Sequence, residues 1–490
     1  MSALDGIEHI VVVMMENRSF DHMLGYLHTD GMPEVNGLRG NEFNLGPDGE
    51  PVPLTAFHAD AHDIMREGEA LQKRLDPDHS KDSVAIQIGH GYSGTDPMKG
   101  FVQAFVETRM PADDVEQALW VVPMGHYTGA DLPVYDHLAR TFCVCDAWHA
   151  SVPGDTWPNR MFALAGREQD RHPNVLQRLV GHLPLPALRS LANAPIFEVE
   201  AFTRQLADGQ WRWYSHDPAT LRAVDAHYRR FDHPMHENFA FFDRNRVQWL
   251  TRELEAPLVS SDSFLDDAAA GRLRDVSWID PNFIDLSVLD PASTDDHPPS
   301  DIRAGQAFVL EVYEALRRGP AWEDTLLVVV YDEHGGFFDH EPPPDVAADD
   351  DTGYATLGVR VPALLVGPRV RQGVCHDVFD HTSLIKTILT RFAADPDRAL
   401  AAMPARVRGA RDLGSALLSA PRSDVAPSDG ARAAIDAWRS RAAGARRGGA
   451  GGAAAAADGA GRATVMHDFQ EEWVRFALAM RHAGLPAGHP

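Results

Sequence analysis

Five short runs of aliphatic and β-branched residues limit what this chain can fold into: Ile7 to Met15, Phe142 to Cys145, Val276 to Ile279, Thr325 to Tyr331 and Val361 to Val366. Each is nearly continuous in apolar character instead of alternating, which reads as a strand buried on both faces. Helical stretches such as Ile302 to Arg317 lie between them. The pattern predicts an α/β sandwich around a largely parallel sheet. Ligands in such sheets bind beyond the carboxyl ends of the strands, so the residues directly after each run come first as site candidates.

The rest of the chain divides by composition. A catalytic domain is expected over residues 1–425, interrupted by His-, Asp-, Gly- and Pro-rich insertions at about 28–124 and 168–275 that read as a cap over the active face. Residues 444–462 form an Ala/Gly tract too poor in large apolar groups to build a core, and read as a linker. Within 463–490, Phe469, Trp473, Phe476, Ala477 and Met480 recur at helical spacing. They predict an amphipathic helix that docks on the body or on a second subunit, followed by a tail.

The longest apolar runs are far too short to span a bilayer, so no transmembrane anchor is expected. A net charge of −26 disfavours nucleic acid and anionic lipid surfaces, yet allows turnover of phosphate esters where a cation neutralises the substrate locally. The three cysteines, Cys143, Cys145 and Cys375, read as reduced thiols. No basic segment or cleavage site precedes the first apolar run, which predicts a cytoplasmic chain as written, or a secreted or periplasmic one if the sequence is a processed form.

Chemistry concentrates just after the runs. Glu16 and Asn17 follow the first, and a carboxylate beside an amide carbonyl suits a hard cation, although the dipeptide alone reads as well as a helix cap. Asp332 and Glu333 follow the fourth run and precede His334, Gly335 and Gly336. Paired glycines permit a turn that aims both carboxylates at one point, where a bound cation would relieve their repulsion. His334 is either a further ligand or a hydrogen-bonding neighbour. Gly154-Asp155-Thr156-Trp157-Pro158-Asn159-Arg160 comes soon after the second run; Thr156 is a hydroxyl needing activation, and Arg160 a candidate clamp for phosphate oxygens. Among 24 histidines, His79, His297, His340 and His381 stand in Asp- or Pro-flanked loops suited to a pocket.

Taken together, the segment from Ile7 through Glu16-Asn17-Arg18-Ser19-Phe20-Asp21, the Thr156-Trp157-Pro158-Asn159-Arg160 run, Asp296-His297-Pro298-Pro299, the stretch from Tyr331 to His340, and Asp380-His381-Thr382-Ser383 resemble the bacterial phospholipase C and acid phosphatase family. That family lies in the alkaline phosphatase superfamily, so the resemblance implies an α/β/α sandwich and a covalent phospho-enzyme. It implies Thr156 as nucleophile and Glu16, Asn17, Asp332 and Glu333 as ligands of a divalent metal. Oxygen donors favour Ca, Mg or Mn, while histidines would recruit Zn. His297 is similar to a family histidine that contacts phosphate or protonates the leaving oxygen, and His79 to another in the pocket. A further family histidine falls near His233 or His236, and Asn159, His334, His340 and His381 complete the pocket candidates. Asp155 departs from the Pro or small residue frequent in the family. The Thr-x-Pro-x-Arg spacing also parallels the sulfatase signature, but Thr156 cannot become the aldehyde sulfatases require, which favours phosphate esters.

The implied reaction is phospholipase C-type phosphodiester cleavage through a phosphothreonine, with His297 protonating the departing alcohol. Two alternatives stand beside it: an acid phosphatase acting on small soluble phosphomonoesters, and a non-catalytic, metal-stabilised binding protein. An intact Thr156 beside two acidic pairs argues against the second.

Overall fold

The computed structural model describes residues 2–57, 76–89, 97–109, 117–169, 197–217, 219–229, 237–244, 260–283, 293–298, 300, 302–347, 350 and 352–440. At its centre stands an eight-stranded sheet. In chain order its strands are β1 (His9–Met15), β2 (Cys143–Cys145), β3 (Trp211–Ser215), β4 (Phe239–Phe241), β5 (Val276–Ile279), β6 (Thr325–Tyr331), β7 (Ala363–Val366) and β8 (Gly373–Cys375). Their spatial order is β8-β2-β7-β6-β1-β5-β3-β4. All neighbouring pairs run parallel except the two made by β7, so the largely parallel sheet expected from the sequence is present.

The sheet is arranged this way because β1 and β6 have no polar face. Ile10 to Met15 and Leu326 to Tyr331 are buried throughout, as strands between two helical layers must be. Helices α1 (Pro133–Thr141) and α3 (Ile302–Arg318) pack together in one layer, and α2 (Thr156–Ala165) and α4 (Thr382–Phe392) in the other. In α3, Phe308, Val309, Val312, Tyr313 and Leu316 recur at helical spacing on the buried face. The result is an α/β/α sandwich.

Register then fixes the site. β1 pairs with β6 from His9 opposite Thr325 through Met15 opposite Tyr331. The next residue of each strand, Glu16 and Asp332, therefore emerges side by side at the carboxyl edge, and Asp332 N still donates to Met15 O at 3.1 Å.

The two insertions differ from each other. Residues 168–275 do not form a cap alone, since they supply strands β3 and β4. The sequence Trp211-Arg212-Trp213-Tyr214-Ser215 hides its strand character behind Arg212, whose charge is met by Asp267 at 2.6 Å. Trp213 stacks on Trp278 of β5 at 4.9 Å, so aromatic surface takes the place of aliphatic surface there. Within 28–124, by contrast, Val84, Phe101, Phe105, Trp120 and Met124 build a separate small core closed by Phe338 and Val359 of the main body. This layer carries His79 and Gln87 to the site.

Residues 429–440 are helical and bury Ile435 and Trp438 in the main core, so the packed body extends beyond residue 425. The linker at 444–462, the helix expected within 463–490, and His233 and His236 lie outside the described residues. No helix among the described residues is long and apolar enough to cross a membrane.

Candidate active site

Glu16, Asn17, Asp332 and Glu333 are all fully buried where β1 and β6 end. Backbone donors hold them. Asp332 Oδ1 accepts from Asn17 N at 3.0 Å and from Glu333 N at 2.8 Å, and Glu333 Oε2 accepts from Gly335 N at 2.7 Å. Asn17 sits in the left-handed region at φ 53°, which Asn tolerates better than most residues. Gly335, at φ 64°, passes so close that a Cβ there would lie 2.1 Å from the Asn17 carbonyl oxygen. The two strand ends are thus locked together through Asn17 and Gly335.

Thr156 enters from the opposite side as the first residue of α2. Its Oγ1 lies 3.3 Å from Glu16 Oε2 and 3.4 Å from Asn17 Oδ1. Asn159 shapes the approach: its side chain accepts from Val152 N at 3.0 Å and donates to the carbonyls of Val152, Gly154 and Asp155. It therefore orders the loop before Thr156 instead of facing a ligand. Arg160, one turn further, donates from Nε and Nη2 to Glu16 Oε1 at 2.9 and 2.5 Å, and from Nη2 to Met14 O at 3.2 Å. Its Nε lies 3.5 Å from Asp332 Oδ2. The guanidinium expected to clamp phosphate is here engaged by the acidic pairs.

Charge at this point is unbalanced. Burial, together with Asp332 and Asp295, drives the Glu16 carboxyl well above the ordinary range, against the pull of Arg160. Burial raises Glu333 likewise, with Asp332 and Asp155 adding to it and His79 opposing. Burial lowers His79, but Glu333, Asp76 and Asp155 outweigh it and lift the imidazole to about 9. Asp332 Oδ2 and Glu333 Oε1 are buried with no hydrogen-bond partner among the described residues, the His79 Nε2 atom lying 3.6 Å from Glu333 Oε1. Buried carboxylate oxygens without donors are rare in native structures unless an ion or water completes them. The donor set, three carboxylates, one amide and one hydroxyl, fits a hard divalent cation.

Histidines flank the acids on one side. Asn17 Nδ2 lies 3.0 Å from His79 Nε2, while His79 Nδ1 donates to Pro77 O at 2.9 Å. The His297 ring lies 6.2 Å from that of His79, with Nδ1 donating to Pro298 O at 2.7 Å and its backbone N–H to Asp295 Oδ1 at 3.1 Å. The remaining histidine candidates do other work. His334 bonds Gln87 Oε1 at 2.7 Å and lies 3.4 Å from Glu333 Oε2, and burial lowers its imidazole to about 3, so it stays neutral. His381 supports Asp332 from behind, its Nε2 reaching the Asp332 carbonyl oxygen at 2.5 Å and Nδ1 accepting from Trp148 at 3.3 Å. His340 belongs to another cluster, with Asp21 at 2.7 Å and Asn36 at 3.0 Å. There Asp21, Asp339 and His340 bring ligand-type atoms together, but Arg360 already donates to Asp339 at 2.9 Å and to Asp21 at 3.2 Å. A resident cation of the chain balances that cluster.

Asp295 is a site residue that the sequence reading passed over. Its carbonyl accepts the Glu16 N–H at 2.8 Å and its buried carboxylate adds to the field on Glu16. Its one sequence signal was adjacency to Asp296 and His297.

Comparison with known proteins matches residues 7–394 to the Phosphoesterase family. The chain is 32% identical over 407 residues to non-specific phospholipase C1 of Arabidopsis thaliana, covering 79% of this chain and 67% of that protein. It is 29% identical over 431 residues to phospholipase C A of Mycobacterium tuberculosis, covering 79% and 73%. Among solved structures it is similar to a protein in the alkaline phosphatase superfamily from Vibrio parahaemolyticus, with 12% identity, 58% and 63% coverage and a TM-score of 0.31.

Proposed function

Given that this chain belongs to the phosphoesterase family and is a phosphoester hydrolase, we propose that it cleaves phosphodiesters in the phospholipase C manner, through a covalent phosphothreonine at Thr156. One observation carries the reading: the Thr156 hydroxyl points at Glu16 and Asn17 from 3.3 and 3.4 Å, beside carboxylate oxygens of Asp332 and Glu333 that lack donors.

Thr156 Oγ1 passes its proton to Glu16 Oε2, 3.3 Å away, and forms the bond to phosphorus while the bond from phosphorus to the alcohol oxygen breaks. The departing oxygen needs a proton. His79 holds one at neutral pH and lies beside Asn17, and His297 faces it, so this pair supplies the acid. Water then attacks the phosphothreonine and gives up its proton to the same imidazoles, while the bond from phosphorus to Thr156 Oγ1 breaks and Glu16 Oε2 returns the proton to that oxygen. A divalent cation held by Glu16, Asn17, Asp332 and Glu333 would lower the cost of the Thr156 alkoxide and offset charge on the phosphate oxygens. Arg160 acts through Glu16, fixing the carboxylate's position. Asn159 sets the loop geometry that presents Thr156.

The direct test is to quench turnover of a radiolabelled phosphodiester in acid and map the labelled peptide. Label on Thr156 is expected. Thr156→Ser should retain measurable turnover, and Thr156→Val, which keeps the β-branched shape, should fold and lose turnover by orders of magnitude. Label on another residue, or near-normal turnover in Thr156→Val, overturns the covalent scheme. Parallel assays on phosphatidylcholine and a soluble phosphomonoester separate phospholipase C activity from acid phosphatase activity.

A further inference from the structure

We propose that Asp296 is the positioning residue of the acid step: gripped by the hydroxyls of Tyr135 and Tyr331, its carboxylate fixes the turn that presents His297 opposite His79. The inference rests on the phosphodiester-cleaving reading above and deepens it, assigning the placement of a proton donor to one buried carboxylate.

Residues 293–298 belong to no helix or strand, so no regular structure holds His297 in place. Asp296 lies there fully buried at φ 72°, one of three non-glycine residues in the left-handed region among those described. Aspartate reaches that region more readily than most residues, but it persists there only where its surroundings hold it. Three elements do so. Tyr331, the last residue of β6, donates to Asp296 Oδ2 at 2.6 Å. Tyr135 of α1 places its hydroxyl 3.2 Å from the same oxygen and 2.7 Å from the Tyr331 hydroxyl, so each phenol supports the other's bond. On α3, Gly305 leaves the space, because a Cβ there would collide with the Asp296 carboxylate. Glycine inside a helix is unfavourable in itself, and here it admits the side chain.

The backbone around Asp296 is tied to the site. The Asp295 carbonyl accepts the Glu16 N–H at 2.8 Å, the Asp296 carbonyl accepts Arg18 Nε at 2.8 Å, and the His297 N–H donates to Asp295 Oδ1 at 3.1 Å. All three bonds depend on the turn at Asp296, and His297 is the next residue along. Its buried ring, set by the Nδ1 bond to Pro298 O at 2.7 Å, then lies 6.2 Å from the ring of His79. A proton donor displaced by about an ångström loses much of its effect, so the anchor acts on the rate without touching substrate.

The test is how strongly cleavage depends on the leaving alcohol. The full-length protein with added divalent cation is assayed on methyl dinitrophenyl phosphate, whose aryl group departs unaided, and on methyl phenyl phosphate, whose aryl group needs a proton. Asp296→Gly keeps the left-handed backbone accessible and removes the anchor. Its kcat/KM should fall roughly tenfold or more on the phenyl ester and less than about threefold on the dinitrophenyl ester. Asp296→Asn retains an oxygen for Tyr331 and tolerates the backbone, so it should recover most of the loss. Tyr135→Phe combined with Tyr331→Phe leaves the loop sequence intact and should show the same selective loss, which keeps the test decisive if Asp296→Gly does not fold. His297→Asn should show it too, and adding Asp296→Gly to that variant should widen it no further. Equal losses on both esters, or bound cation lost from the folded variants by elemental analysis, would mean a general structural role and overturn the inference. An unchanged ratio in His297→Asn removes His297 as proton donor and the inference with it. A selective loss in His297→Asn with an unchanged ratio in the folded Asp296 and tyrosine variants removes the role of Asp296 alone. If the unsubstituted protein cleaves neither ester, the phosphodiester reading falls as well.

Discussion

Arg160 and Glu16 form a fully buried ion pair in which two guanidinium nitrogens, Nε and Nη2, converge on one carboxylate oxygen at 2.9 and 2.5 Å. The same guanidinium lies 3.5 Å from Asp332, so one resident cation is set against both acidic pairs. Removing one partner of a buried pair leaves an uncompensated charge and costs about 3–5 kcal/mol. Arg160→Met should lose stability of that order in chelator. Added divalent cation should stabilise the variant more than the parent protein, since it supplies the missing charge. Denaturant titrations with and without cation check this; an equal cation effect in both proteins would refute it.

His149 gives a pH dependence of known sign. It is buried, with Nδ1 bonded to Gly358 O at 3.0 Å, and burial holds its imidazole down to about 4. An unfolded histidine titrates near 6.5, so below that value the unfolded chain takes up the proton first. The stability associated with neutral His149 is whole above about pH 6.5 and is lost as pH falls toward 4. His149→Gln should therefore gain on the parent protein by up to about 3 kcal/mol across that window. Glu16 and Glu333, raised by burial, act in the opposite sense but are common to both proteins and cancel in the difference. Parallel unfolding curves at pH 7 and pH 4.5 with a constant difference would contradict the assignment.

The central strands could be read from the sequence because Ile10 to Met15 and Leu326 to Tyr331 are almost wholly apolar, and a carboxylate follows each directly. Their adjacency could not be read, since pairing of β1 with β6 joins residues more than three hundred positions apart. β3 was hidden because Arg212 breaks the apolar run, and only the fold brings Asp267 to it. The histidines show the same limit. His79 and His340 both follow Asp in a loop, yet one lies against Asn17 and the other against Asp21. Likewise nothing in the sequence distinguishes an Arg160 that meets phosphate from one that meets Glu16.

Gly335 tests whether the two strand ends must interlock. Alanine there would sit at φ 64° with its Cβ 2.1 Å from the Asn17 carbonyl oxygen, a backbone atom that cannot swing aside. Gly353, at φ 81° with nothing within 4 Å, isolates the conformational cost alone, about 1–2 kcal/mol. Gly335→Ala should be destabilised beyond Gly353→Ala and should lose turnover because Asn17 is displaced. Equal melting temperatures and retained activity would show that the contact is easily relieved.

Asp332 separates the structural from the ionic role of the acidic pairs. Its Oδ1 accepts two backbone N–H groups, from Asn17 and Glu333, and an asparagine carbonyl preserves both bonds. Its Oδ2 has no hydrogen-bond partner among the described residues, and its charge raises the proton affinity of both Glu16 and Glu333. Asp332→Asn therefore removes a repulsive charge while retaining the turn. In chelator the variant should be at least as stable as the parent protein, because two buried carboxylates have lost a like-charged neighbour. With divalent cation the order should reverse, since a ligand charge is gone and binding stabilises only the species that binds. Turnover should fall by orders of magnitude. Elemental analysis after desalting provides the decisive reading: reduced cation content in a folded Asp332→Asn protein supports one shared site for the two acidic pairs, whereas unchanged content would mean that the cation binds elsewhere.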